Sequence, residues 1–136
     1  MMKKILIVGA NYYKDILSDL TIQAKIVLLE KYSKEKIKDK WIEVPGVFEI
    51  PVVIAKNIKK YDGFIALGCV IKGETPHFDF ISQATINAIM KLSVENNKPI
   101  GNGIITCLNK EQAIVRSKTK GQEAAEAVLS VLGFKI

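Results

Sequence analysis

The sequence predicts an α/β fold, a four-stranded parallel sheet flanked by helices on both faces. Short apolar runs stop at glycine or proline, as strands buried on both faces do. Segments with apolar residues at helical spacing lie between them, so strand and helix alternate along the chain. No repeat, linker or low-complexity tract interrupts the pattern. The 136 residues, 49% of them hydrophobic, therefore read as a single domain over residues 1–136 with one core.

Ile5 to Val8 is the first apolar run and ends at Gly9. Ile16, Leu20, Ala24, Val27 and Leu28 then recur at helical spacing. Trp41 to Val44 is a second, weaker strand, closed by Pro45-Gly46. A helix is expected from about Glu49, with Pro51 tolerated in its first turn. Gly63 to Ile71 is the most apolar strand. A long helix is expected from about His77 to Asn97, with Ile81, Ala84, Ala88 and Leu92 on one face. Pro99 opens a fourth strand running to Cys107. Asn109 and Gln112 have capping-box spacing for a helix ending near Ser117. Gly121 reads as a break before a last amphipathic helix from Glu123 to Leu132.

The net charge of +6 suits capture of phosphates or acidic metabolites without choosing among them. Lys34, Lys36, Lys38 and Lys40 alternate with Glu35 and Asp39 and read as a solvated connection or helix end. They lack the arginines and interleaved aromatics of a nucleic-acid stripe, so no nucleic-acid partner is expected. Cys69 and Cys107 have no CxxC spacing and end apolar runs, which suggests reduced, buried thiols in a cytoplasmic protein. The apolar stretch after Met1-Met2-Lys3-Lys4 is too short for a signal segment. No segment approaches the ~20 apolar residues of a membrane span. One histidine excludes a His-rich metal site, and neither a phosphate loop, a dinucleotide fingerprint nor a GxSxG motif occurs.

Ligands of open parallel sheets bind beyond the carboxyl ends of the strands. That rule selects Gly9–Tyr13, Pro45–Glu49, Gly68–His77 and Thr106–Asn109. His77, the only histidine, stands at an expected helix start, where free N–H groups favour an anion. It suits proton transfer near neutrality; a helix-capping or surface histidine is the plain alternative. Gly73 and Thr75 beside it form a candidate phosphate cradle. Glu49 fits either a ligand or dipole compensation, and Phe48 either a ligand contact or the core. Tyr12 and Tyr13 could stack on a flat heterocycle or simply pack. Arg116, the only arginine, offers a fork for phosphate, although a lone arginine on a helix is more often a surface residue.

Three segments carry a resemblance: VPGVFEIP (Val44 to Pro51), ALGCVIKGETPHFDFIS (Ala66 to Ser82) and GIITCLNKEQAIVRS (Gly103 to Ser117). In order and spacing they resemble 6,7-dimethyl-8-ribityllumazine synthases of riboflavin biosynthesis. The resemblance implies a flavodoxin-like three-layer sandwich and a transferase. Its reaction condenses 5-amino-6-(D-ribitylamino)uracil with L-3,4-dihydroxy-2-butanone 4-phosphate, without cofactor or metal. Position by position, it makes His77 the catalytic histidine and Tyr12 the aromatic stacked on the pyrimidine. Val47, Phe48 and Glu49 would hold the ribityl chain, and the backbone of Cys69, Val70 and Ile71 would read the pyrimidine edge. Glu74 and Thr75 would bind phosphate together with Arg116 and Lys120. Asn102 falls where many members have Phe, on the face offered to a neighbouring subunit, which also supplies Arg116.

The resemblance further implies small-molecule substrates, a homopentamer with active sites between subunits, and riboflavin synthase as a candidate partner. Two departures bear on assembly. The chain starts at the family's second strand, and the connection from Arg116 to Gly121 is short. A pentamer or a decamer is therefore expected, not a capsid of twelve pentamers. A non-catalytic flavin- or lumazine-binding carrier on the same scaffold is the alternative function.

Overall fold

The computed structural model describes residues 2–31 and 36–135. Its strands are β1 (Lys3–Ala10), β2 (Ile37–Val44), β3 (Gly63–Ile71) and β4 (Ile100–Cys107). Its helices are α1 (Lys14–Lys31), α2 (Ile50–Asn57), α3 (His77–Asn96), α4 (Lys110–Ser117) and α5 (Lys120–Val131). A 3-10 turn, Val47–Glu49, leads into α2. The four strands form one parallel sheet in the order β2-β1-β3-β4. This is the three-layer arrangement expected from the alternating pattern.

Alternate residues of the two central strands feed two cores. Ile5, Ile7, Ile65 and Leu67 pack under α1, α4 and α5, whereas Leu6, Val8, Phe64 and Ala66 pack under the 3-10 turn, α2 and α3. Ile50, Ile54 and Phe64 are fully buried, and burial of each such side chain contributes about 1.5–3 kcal/mol. Asn109 caps α4 as its spacing predicted: its Oδ1 accepts from Gln112 N at 2.9 Å, and Gln112 Oε1 accepts from Leu108 N at 2.8 Å. Pro51 sits in the first turn of α2.

Several boundaries differ from the expected ones. β2 begins at Ile37, not Trp41, so Lys38 and Lys40 belong to a strand and not to a connection. As an edge strand it keeps charged residues exposed, which hides its period from a search for apolar runs. Lys34 and Glu35 lie outside the described residues. Gly121 does not break the chain; it lies in the first turn of α5, where an added Cβ would come within 2.1 Å of the Leu20 carbonyl oxygen. The glycine is there because the α5 backbone touches α1. On α3, Ala84 is exposed, and the fully buried positions are Thr85 and Ile89. No described helix is long and apolar enough to cross a membrane.

Candidate active site

β3 runs past its neighbour. Its pairing with β1 ends at Gly9–Leu67, while its pairing with β4 continues to Ile71–Cys107. The β1-side backbone of Cys69, Val70 and Ile71 is thus left without a strand partner. A cleft of about 470 Å³ opens at this point. Its walls come from Tyr12 and Tyr13 after β1, from Gly46 to Glu49 after β2, from Cys69 to Ile71, and from His77 and Ile81 on α3.

The second wall depends on a close approach. A Cβ on Gly68 would lie 2.7 Å from Val47 Cγ1, so glycine there lets the 3-10 turn settle on the sheet. Val47 becomes core, and Phe48 is turned outward, 58% exposed. The core alternative for Phe48 is thereby removed. The Glu49 Oε1 accepts from Gly46 N at 2.9 Å, which fixes the carboxylate at the cleft wall. Its Oε2 has no partner among the described residues.

Tyr12 is 75% exposed and meets Tyr13 edge-on, with ring centroids 4.9 Å apart. Tyr13 packs against the core, and burial raises its phenol pKa. Lys110 Nζ stands 5.3 Å from the Tyr13 ring centroid and pairs with Asp15 at 3.1 Å. That hydrogen-bonded partner holds the Asp15 carboxyl below its usual value. Burial, reinforced by the neighbouring Cys107 thiol, pushes Cys69 up to about 12. Both cysteines are free and buried, as expected.

His77 is the first residue of α3 and is exposed on the cleft. Its backbone N–H donates to Thr75 Oγ1 at 3.4 Å, while Asp79 N and Phe80 N both bond Pro76 O. Gly73, Glu74 and Thr75 form an exposed link between β3 and α3, and the space around Gly73 is open.

Tyr12, Val47, Phe48, Glu49, Cys69, Val70, Ile71 and His77 thus converge on one cleft. Glu74 and Thr75 adjoin it without lining it. Three residues expected at the site lie elsewhere in this chain. Asn102 is opposite Ala66, three residues short of the strand end that forms the cleft, and its Oδ1 accepts from Ile104 N. Arg116 donates from Nη1 to Thr106 O at 2.8 Å. Lys120 pairs with Glu123 on α5, against the opposite face of the sheet from α3. Tyr13, weighed with Tyr12 as a stacking ring, and Gly46 of the Pro45–Glu49 segment also line the cleft, as does Ile81, which lies in none of the selected segments. Ile81 follows His77 by one helical turn, a spacing that could have revealed it. Among the described residues no cluster of His, Cys, Asp or Glu could hold a metal ion.

A parallel sheet with an aromatic, a carboxylate and a histidine around a cleft at its carboxyl end defines an α/β protein that binds a small molecule. Residues 2–135 match the model of the 6,7-dimethyl-8-ribityllumazine synthase family. The chain belongs to that family. It is 44% identical to 6,7-dimethyl-8-ribityllumazine synthase of Bartonella tribocorum, over 99% of this chain and 93% of the relative. The Agrobacterium fabrum enzyme of the same name is 42% identical over 96% of this chain and 93% of its own. That of Methylorubrum populi is 40% identical, covering 97% and 82% respectively.

Proposed function

We infer that the cleft is where this chain carries out its family's reaction. The enzyme condenses 5-amino-6-(D-ribitylamino)uracil with L-3,4-dihydroxy-2-butanone 4-phosphate, releasing phosphate and water and forming 6,7-dimethyl-8-ribityllumazine. The unpaired β1-side backbone of Cys69–Ile71 is the observation that carries this reading. Free amide and carbonyl groups in a row suit the donor and acceptor edge of a uracil. Tyr12 stacks on the ring, and the free Glu49 oxygen receives ribityl hydroxyls between Val47 and Phe48.

The 5-amino group attacks the ketone and water leaves as the Schiff base forms; phosphate departs, the ribitylamino nitrogen adds to the carbonyl that this elimination exposes, and loss of a second water completes the ring. Much of the barrier yields to orientation, which can supply about 7–11 kcal/mol. His77 moves protons between these groups, a role worth about 10²–10⁴-fold. Glu74, Thr75 and the α3 N-terminus hold the phosphate.

Arg116 and Asn102 complete the pocket of an adjacent subunit, and Lys120 joins them in binding phosphate. None of the three lines the cleft within one chain, which supports this reading, as do the exposed Phe80, Met90 and Val94 on α3. Apolar side chains along one helix face suit contact with a second copy. A homopentamer, or two pentamers stacked, closes every such contact. The enzyme works in the cytoplasm with both thiols reduced. Mixing the two substrates with purified protein and following the product's absorption and fluorescence tests the reaction. Binding of the lumazine without its formation would leave only a carrier.

A further inference from the structure

A second cleft lies at the other end of the sheet. It measures about 420 Å³ and is lined by Lys4, Lys38, Lys40, Lys59, Lys60 and Tyr61. Lys4 starts β1, Lys38 and Lys40 lie on edge strand β2, and the last three join α2 to β3. Lys4 lies some eight residues of strand from Tyr12, roughly 25 Å at the usual rise. This cleft is therefore separate from the one at His77.

The strand register creates the charge. Lys4 is paired directly with Lys38, and Lys40 follows two residues on, on the same face of the sheet. Like charges opposite one another destabilise a strand pair. None of the five ammonium groups has a carboxylate partner among the described residues. The adjacent carboxylate, Asp62, accepts instead from the backbone N–H of Lys4 at 2.8 Å. Asp39 alternates with Lys38 and Lys40 and so faces the other side of the sheet. Five unneutralised cations from three segments thus border one concavity of small-molecule size.

We propose that this cleft binds a small anion carrying several phosphate charges, which neutralises the lysines of β1, β2 and the α2–β3 connection together. A compact ligand fits better than an extended polyanion, because the lysines ring a concavity and only one aromatic, Tyr61, stands beside them. Bases of a nucleic-acid strand would need successive stacking rings. The lysines also hold the anion as point charges without the fork geometry of arginine, so charge number matters more than shape.

The test uses inorganic tripolyphosphate as probe, titrated calorimetrically into the assembled protein at about 0.15 M salt, where weak surface attraction is screened. The proteins are the wild type, Lys38→Gln/Lys40→Gln, Lys59→Gln/Lys60→Gln, and a control, Lys25→Gln/Lys91→Gln, on α1 and α3. Tripolyphosphate should bind the wild type and the control alike, and about tenfold or more weaker to either cleft variant. Orthophosphate should bind more weakly than tripolyphosphate. Lumazine formation should be unchanged in both cleft variants, which also shows that they are folded. Equal affinity in all four proteins, or no binding to the wild type at this salt, would overturn the proposal. A single-stranded oligonucleotide displacing tripolyphosphate at lower phosphate concentration would overturn it too, in favour of an extended surface.

Discussion

The two faces of the sheet are finished to different degrees. Under α1, α4 and α5 the helices press close: Gly121 meets the α1 backbone, and Ala24, Ala124, Ala125, Val128 and Leu129 are all buried. Across the sheet, α3 is twenty residues long yet fully buries only Thr85 and Ile89. It leaves Phe80, Met90 and Val94 outside, and the buried Thr85 hydroxyl has no hydrogen-bond partner among the described residues. One face is closed by this chain's own residues. The other carries the 3-10 turn and the His77 end of α3, which wall the cleft at the strand ends, and an apolar helix surface. Rigid packing on one side is what lets the opposite side remain incomplete without losing the fold.

Substitutions can separate the two sides. The largest effect is expected at His77. His77→Ala should lower turnover by about 10- to 10⁴-fold with assembly and unfolding midpoint unchanged. Steady-state kinetics and native mass measured on the same preparation check it, and an unchanged turnover would remove His77 from the mechanism.

Gly121→Ala comes next and sets two effects against each other. Helix propensity favours alanine by about 1 kcal/mol. The 2.1 Å approach to Leu20 O opposes it, and overpacking of this kind costs about 1–3 kcal/mol. The clash is with backbone, so net destabilisation is expected in denaturant unfolding. Gly73→Ala, with open space around it, should leave stability unchanged. Equal behaviour of the two variants would contradict the difference between a closed and an open region.

Arg116→Ala should weaken the phosphorylated substrate by about 1.5–3 kcal/mol and hardly affect the uracil. Separate titrations distinguish the two, and equal losses would make Arg116 structural.

The smallest effect belongs to Asp15, fully exposed and paired with Lys110 across α1 and α4. Its pKa is lowered in the folded state, so its contribution is complete above the ordinary value of 3.8 and disappears as pH falls through the folded value. The melting-temperature difference between wild type and Asp15→Asn should be slight at neutral pH and vanish in acid. A difference that grows in acid would reverse the sign of the linkage.

Much of this was legible in the sequence because buried parallel strands read as uninterrupted apolar runs. Gly63 to Ile71 could be bounded to the residue for that reason. The start of β2 was not legible: an edge strand faces water, and Lys38-Asp39-Lys40 has the composition of a loop. Gly121 misled because composition signals the cost of glycine in a helix but not the neighbouring backbone that requires it. Every cleft residue except Ile81 falls in a segment that the strand-end rule selects. Where Asn102, Arg116 and Lys120 lie relative to the cleft could not be read, since that depends on tertiary placement.

Cys69 forms part of the cleft wall, and its thiol is held near pKa 12. At neutral pH the thiolate, the form that attacks carbon, is scarce. An electrophilic ketone placed against this sulfur would therefore escape trapping as a hemithioketal. The same burial should make Cys69 slow toward iodoacetamide in the native protein. At this sulfur the cleft wall is chemically quiet.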